Sequence, residues 1–442
     1  MRSDEPVIAG WGRLGVAGRE IRSEDLLRLS EGAVLSRGFG RSYGDSSLPP
    51  PSVRDVACTV LADRVLDFDP ATGRVRAEAG LSLRALNRML LPRGWFTPVT
   101  PGTAFVTLGG MVAADVHGKN HHVDGCFGAH VEGLRLRVAD GRLIDCAPDR
   151  EGNLFRATLG GMGLTGHVLE VTFRMSRVAA PWIRGESVRV PGIETLLEEL
   201  ERSSARWPFT VAWADCLARG TRLGRGIVYR GRWCAPDEAP GGIPEPRGAV
   251  RVPCDLPAWV LNRRTVGLFN EAMYRAHGPR PRAGVQSPDR FFYPLDRLAD
   301  WNRLYGRRGL TQYQCVLPRV AGPEAVRELL ELLASRGACV CLCVIKNCGD
   351  EGEGTLSFPL RGTSVAVDLP VDGGTQDLVD TLNERVIEWG GRIYLAKDAF
   401  TRPAHFRAME PRLECWTAVR RRWDPTLRLR SAQSVRMMGD PA

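Results

Sequence analysis

Three glycine-rich segments carry the residue types with which a polypeptide holds phosphate. RGFGRSYGD spans residues 37–45, PGTAFVTLGG spans 101–110 and LGGMGLTG spans 159–166. Small residues let the backbone approach a ligand closely, and successive exposed N–H groups make a concave anion site. The second segment runs on to HGKNHH (117–122), where His117, Lys119, Asn120, His121 and His122 gather donors and a cation. None of the three is a dinucleotide fingerprint. GxGxxG must open a helix, whereas the glycines at 38, 40 and 44 have another spacing and SSLPPP (46–51) cannot continue as a helix. A nucleotide lying in an extended groove is the chemistry these segments support. The histidines are not read as a metal site, since no carboxylate or thiol in the motif completes a ligand set.

Cys339, Cys341 and Cys343 are the other cluster of ligating type. Their i, i+2, i+4 spacing describes a strand with three thiols on one face, not the turn-borne pairs of a zinc site. No metal is assigned. Twelve cysteines without paired spacing argue against a disulfide framework. With no signal peptide and no 18-residue apolar run, the expected location is the cytoplasm, peripheral at the membrane at most. A net charge of +9 suits anionic ligands, but the basic residues are dispersed and match no nucleic-acid-binding pattern.

The elements that must position these segments follow from periodicity. At 442 residues the chain exceeds one core. Alternating runs at 65–69 and 74–79, joined by PATG, predict a hairpin, and Ser82 caps a helix that stops at Pro92. Strands are expected at 132–139, 142–146, 168–175, 209–216, 226–229, 285–290, 310–317, 338–346, 356–358 and 364–369. Helices are expected at 23–30, from near Glu151, at 324–336 and at 375–388, the last ended by Gly390 and Gly391. The Pro/Gly-rich stretch 235–247 reads as an exposed loop.

RGFGRSYGD, the PGT…TLGG loop and HGKNHH together resemble the flavin-binding domain of the vanillyl-alcohol-oxidase superfamily of FAD-linked oxidases. The order of GWGR (10–13), GMGLTG (161–166), YPLD (293–296), QYQ (312–314), LSFP (356–359), YLAKD (394–398) and WDP (423–425) is similar to the decaprenylphosphoryl-ribose 2-oxidase family, the oxidative half of a two-enzyme 2'-epimerase. That resemblance implies an α+β fold with a PCMH-type FAD-binding domain over 1–178, a sheet-based substrate domain over 179–392, and a segment 393–442 returning to the first. It implies FAD held by Arg37, Gly38, Phe39, Gly40, Arg41, Ser42, Tyr43, Gly44 and Asp45, by Gly102, Thr107, Gly109 and Gly110, and by His117, Gly118, Lys119, Asn120, Val168 and Tyr394. The 36–46 loop has no histidine, so the flavin is expected to be non-covalent.

By the same resemblance Lys397 and Tyr43 are the catalytic candidates, and Trp213, Tyr293, Gln312, Gln314, Lys346 and Lys397 the substrate contacts. Gln312 and Gln314, two apart on a strand, face one side, and Lys346 ends an apolar row that calls for an anion. The implied reaction is oxidation of the 2'-hydroxyl of a polyprenyl-phosphate ribose to the keto sugar. An NAD(P)H-dependent short-chain reductase would be the partner, with quinone or O2 as electron acceptor. Ala366 stands where mycobacterial members carry a cysteine, Ser364 where they carry an asparagine, and 235–290 is reworked. These departures leave open a soluble sugar or nucleoside substrate, and an O2-using aldose or aldonolactone oxidase is the rival class.

Overall fold

The computed structural model describes residues 6–245, 248–257 and 259–442, so Arg247, within the expected loop, lies outside the described residues. The first part of the chain builds two small sheets besides the two-stranded pairs Val7–Ala9 with Gly15–Ala17 and Trp95–Phe96 with Ser176–Arg177. Arg19–Arg22, Asp55–Cys58 and Ser36–Arg37 form a parallel trio. Leu143–Cys146, Val131–Arg137, His167–Arg174, Arg74–Glu78 and Val65–Asp69 form an antiparallel sheet in that order. The expected hairpin is its edge, and Leu83–Leu90 follows with the Ser82 hydroxyl accepting from Ala85 N–H.

From Ile183 the chain builds an eight-stranded antiparallel sheet. Its order is Arg282–Gln286, Ile183–Val190, Gly226–Trp233, Phe209–Ala214, Leu342–Cys348, Gly362–Pro370, Leu310–Pro318 and Arg392–Ile393. Helices Ile193–Ser204, Gly322–Ser335 and Thr375–Glu388 cover one face. The Tyr313 hydroxyl donating to Asn383 shows that odd residues of the 310–318 strand look toward those helices. Even residues therefore look the other way. Every residue from Leu310 to Leu317 is buried, because the opposite face is covered too, by the first part of the chain.

Two expected strands take other forms. Pro288 at the first helical position, with the Ser287 hydroxyl accepting from Arg290 N–H, turns 288–292 into the helix Pro288–Phe292, leaving Arg282–Gln286 as the strand. Around 356–358 the Ser357 side chain donates to the Asp115 carboxylate and its N–H closes a turn on Gly354, so no ladder forms. Helices Ile193–Ser204 and Arg263–Ala276 were not expected, and Cys339 and Cys341 precede the strand that begins at Leu342.

After Ile393 the chain leaves the sheet and returns to its beginning. Tyr43 N–H donates to Ala396 C=O at 3.0 Å, and Ala432 N–H donates to Leu48 C=O at 2.9 Å. Trp416, wholly buried in helix Leu413–Trp423, donates from Nε1 to Ala157 C=O. Arg436, on helix Ala432–Met438, spans Asp45 (2.8 Å to each oxygen), Asp398 (2.7 Å) and the Thr401 carbonyl. Asp45 and Asp398 are buried, so removing the guanidinium strands two carboxylates. Arg436→Ala is therefore expected to cost about 3 kcal/mol. Thermal unfolding should show a lower Tm, and the flavin content of purified protein should fall with it.

Candidate active site

Where the returning segment meets the first glycine loop, a cavity of about 310 Å³ opens between the two sheets. Its walls come from residues 36–43, from 101–117 in part, from Met162, Gly163, Gly166 and Val168, and from Tyr394, Ala396 and Lys397. Its floor is the even face of the large sheet. The register aligns Leu342, Asp368 and Gln312 in one row, Trp213, Val344, Ala366 and Gln314 in the next, and Lys346, Ser364 and Val316 in the third. Leu342, Val344, Lys346, Ala366, Gln312 and Gln314 reach the cavity.

The loop at 37–45 is built to receive an anion. The Arg37 guanidinium points away from the cavity, donating to Glu20 at 2.8 Å and to the carbonyls of Ala9 and Ser47 at 2.7 and 3.2 Å. It thereby pins the loop from behind. Gly40 has φ +61°, and a Cβ there would lie 2.1 Å from Arg37 Nη2; a Cβ on Gly38 would lie 2.4 Å from Thr107 Oγ1. The N–H groups of Phe39, Gly40, Arg41 and Ser42 donate to no acceptor among the described residues. Four consecutive free donors on a cavity wall are the nest that a pyrophosphate requires. His117 adds an aimed donor. With Gln314 Nε2 donating to His117 Nε2 at 3.0 Å, the ring proton belongs on Nδ1, which is buried without a partner among the described residues. Burial, then the charges of Lys346, His121 and Lys397, holds this imidazole well below its usual range and hence neutral.

Lys397 is placed by its own backbone, its N–H donating to Tyr394 C=O, and its Nζ lies 3.9 Å from the centre of the Tyr43 ring. Burial pushes its ammonium down to about 7, with Asp368 opposing and Lys346 assisting. Asp368 is the carboxylate of the floor. It is buried, accepts from Gln312 Nε2, and keeps Oδ2 without a hydrogen-bond partner among the described residues. Burial pushes it up to about 6, while the Gln312 hydrogen bond and then Lys397 pull it back. Lys346 has no ion-pair partner among the described residues, and burial lowers it too. The floor thus presents two amides and an unpaired cation beside a lysine whose proton can leave near neutral pH.

The structure separates some expected site residues from this cavity. Gly44 abuts the Asp398 carbonyl and Asp45 is consumed by Arg436, so both brace the loop and neither lines the cavity. Past His117 the chain turns away. A Cβ on Gly118 would meet Asn120 Oδ1 and the Thr100 carbonyl, Lys119 Nζ donates to the Phe291 and Phe292 carbonyls at 2.8 and 2.9 Å, and Asn120 holds Pro98 C=O and Asp124. His121 accepts from Gly349 N–H, and His122 Nε2 lies 3.0 Å from the Trp207 carbonyl oxygen. Beyond His117 the polar knot therefore joins the first part of the chain to the large sheet and does not line the cavity. The Tyr293 hydroxyl accepts from the Asn87 amide and shares a hydrogen bond with the Thr100 hydroxyl, also outside it. Trp213 shares the cavity-side row but is one strand too far out to line it.

Other lining residues were not foreseen. Trp11 stacks under Arg41, whose guanidinium carbon is 4.0 Å from the ring centre, and Trp301 packs beside Tyr43. Asp296 holds the second loop through Ala104 N–H at 2.8 Å. Asp368 had a signal in the sequence, since it continues the alternation of Ser364 and Ala366 on one strand face.

Two outcomes test this geometry. Gly40→Ala should displace Arg37 and collapse the nest, lowering flavin occupancy at least tenfold in equilibrium dialysis while the fold persists by circular dichroism. Asp368→Asn removes the charge that holds Lys397 up. The pH at which substrate half-maximally accelerates flavin bleaching should therefore move below its wild-type position near 7, read by anaerobic stopped flow.

Comparison with known proteins agrees with this architecture. Residues 27–147 match the model of an FAD binding domain. The chain is 35% identical over 437 residues to the decaprenylphosphoryl-β-D-ribose oxidase of Mycolicibacterium smegmatis, covering 95% of this chain and 94% of that protein. It is 34% identical over 361 residues to an uncharacterised Streptomyces coelicolor protein, covering 78% of this chain and 96% of that one. Similarity to a putative D-arabinono-1,4-lactone oxidase of Neurospora crassa, 31% identical, spans 34% of this chain and 26% of that protein.

Proposed function

The chain belongs to the decaprenylphosphoryl-β-D-ribose oxidase family of FAD-linked oxidases, and from that premise we propose that it oxidises the 2'-hydroxyl of a phosphorylated ribose, carried on a polyprenyl chain, to the 2'-keto sugar. It is an FAD-dependent oxidoreductase acting on a CH–OH group. The observation that carries the proposal is Lys397 above the Tyr43 ring, facing a floor of Gln312, Gln314 and Lys346.

Bound FAD supplies a two-electron acceptor for the hydride of the carbinol carbon. The protein's residues must do the rest. The run of free N–H groups from Phe39 to Ser42 would hold the pyrophosphate, and neutral His117 would donate from Nδ1 to the ring system. Above about pH 7 Lys397 carries a lone pair, so the hydroxyl proton passes to Nζ as the C–O bond becomes a carbonyl. Gln312 is already spent on Asp368 through its amide N–H, which leaves its carbonyl oxygen free to accept from a sugar hydroxyl. Lys346 would take the substrate phosphate, giving a buried cation the anion it lacks. Ala366, between Val344 and Gln314, leaves room on the floor where a larger residue would intrude.

The flavin is dissociable in this reading, because the 36–46 loop offers neither histidine nor cysteine for attachment. Quinone or O2 would reoxidise it, and an NAD(P)H-dependent reductase returning hydride to the opposite sugar face would complete an epimerisation. The similarity to the lactone oxidase covers a third of this chain and a quarter of that protein, so it does not carry that protein's substrate to this chain.

Lys397→Ala should keep FAD yet slow anaerobic bleaching by polyprenyl-phosphate ribose by a factor on the order of 10²–10⁴, the range of a lost general base. Acid precipitation of the same protein should leave a colourless pellet. Wild-type bleaching rates would remove the lysine from the reaction, and a yellow pellet would mean a covalent flavin.

A further inference from the structure

Helix Arg263–Ala276 packs by one side and leaves the other bare. Inward, Val266 and Asn270 are buried, Asn270 donates to Asp215 at 2.8 Å, and Glu271 receives Arg225 at 2.6 Å. At 100° per residue, Arg264, Arg275, Leu268, Ala272, Thr265, Ala276 and Phe269 follow one another around the opposite side. Leu268 is 72% exposed and Phe269 61%; Trp259, just ahead of the helix, is 75% exposed. Scattered exposed apolar side chains need no explanation, but three large ones on one helix and its lead-in form a surface.

Charge selects the occupant. Between residues 263 and 290 there are six arginines against Glu271 and Asp289, an excess of four positive charges. Glu271 is already paired with Arg225 and Arg275, whereas Arg264, Arg280 and Arg282 meet no carboxylate among the described residues. Against a second copy this face would set arginines against arginines. An apolar stripe edged by arginine and tryptophan is the composition that lies in the headgroup region of an anionic bilayer. No described helix is long and apolar enough to cross one, so contact must be by surface.

Position adds a reason. Leu261, between Trp259 and the helix, packs on the cluster of Tyr43, Trp301, Tyr305 and Leu310, two of whose members line the cavity. The Arg263 guanidinium ties the helix start to the Ala338 carbonyl, just before the floor strand Leu342–Cys348. We infer that the outward side of helix Arg263–Ala276, with Trp259, docks on an anionic lipid surface and holds the cavity beside the bilayer from which a lipid-linked sugar is drawn. This rests on the substrate class proposed above.

The test uses the FAD-loaded full chain in co-sedimentation with phosphatidylglycerol/phosphatidylcholine vesicles and with phosphatidylcholine alone. Binding should require the anionic lipid and fall with added salt. Leu268→Ser/Phe269→Ser, and separately Arg264→Glu/Arg280→Glu/Arg282→Glu, should each weaken it at least tenfold while flavin content and bleaching by detergent-solubilised substrate stay at wild-type values. If the serine variant loses its flavin through misfolding, the charge variant decides. Absence of wild-type binding to anionic vesicles, or unchanged binding by the variants, overturns the inference. So does a dimer in sedimentation velocity that the serine substitutions dissolve, which would give the surface to a second copy. Vesicle binding involves no turnover, so it can fail while flavin bleaching succeeds, and the reverse.

Discussion

A single backbone hydrogen bond, Tyr43 N–H to Ala396 C=O, joins the first glycine loop to the segment that leaves the large sheet. Around it Arg436 draws Asp45 and Asp398 together, and Gly44 lies against the Asp398 carbonyl with no room for a side chain. The arrangement sets Lys397 over the Tyr43 ring and puts the free N–H groups of Phe39 to Ser42 on the wall next to it. Without that junction the glycine loop and Lys397 would belong to separate surfaces.

The cavity's electrostatics follow from what burial does to charge. Lys397 and Lys346 are pushed toward neutrality, His117 is held neutral, and Asp368 is raised toward protonation. Each shift is led by desolvation; neighbouring charges deepen it at His117 and oppose it at Lys397 and Asp368, so the groups are coupled through a small volume. A lysine held at about 7 can take up and release a proton near neutral pH, which is what the proposed oxidation asks of it. The site also favours an anionic ligand over a neutral one, because cations outnumber carboxylates along the floor.

Much of this was legible in residue order. The hairpin, the capped helix Leu83–Leu90 and the facing of Gln312, Gln314 and Lys346 follow from alternation and capping, which are local properties. HGKNHH misled in its later half. Polar residues in sequence look like a binding cluster, but Gly118 lies against Asn120 and the Thr100 carbonyl, and Lys119 finds two backbone carbonyls in helix Pro288–Phe292. Tyr293 and Asp45 misled for the same reason: each has the chemistry of a ligand contact and is satisfied by a protein group distant in sequence. Helix Arg263–Ala276 escaped notice because its solvent side carries Leu268, Phe269 and Ala272, which hides the polar face expected of a surface helix.

The order of residues alone determined which segments bend, which alternate and which can bring bare backbone to a phosphate, because φ preference, strand parity and capping act within a few residues. Whether a given donor reaches a ligand or another part of the chain was decided only by tertiary structure. Among the described residues the N–H groups of Phe39 to Ser42, Nδ1 of His117 and Lys346 find no partner, whereas Asp45 and Lys119 find theirs in distant segments. Satisfaction of a buried polar group is a property of the space around it, and that space is assembled from chain segments that sequence distance does not relate.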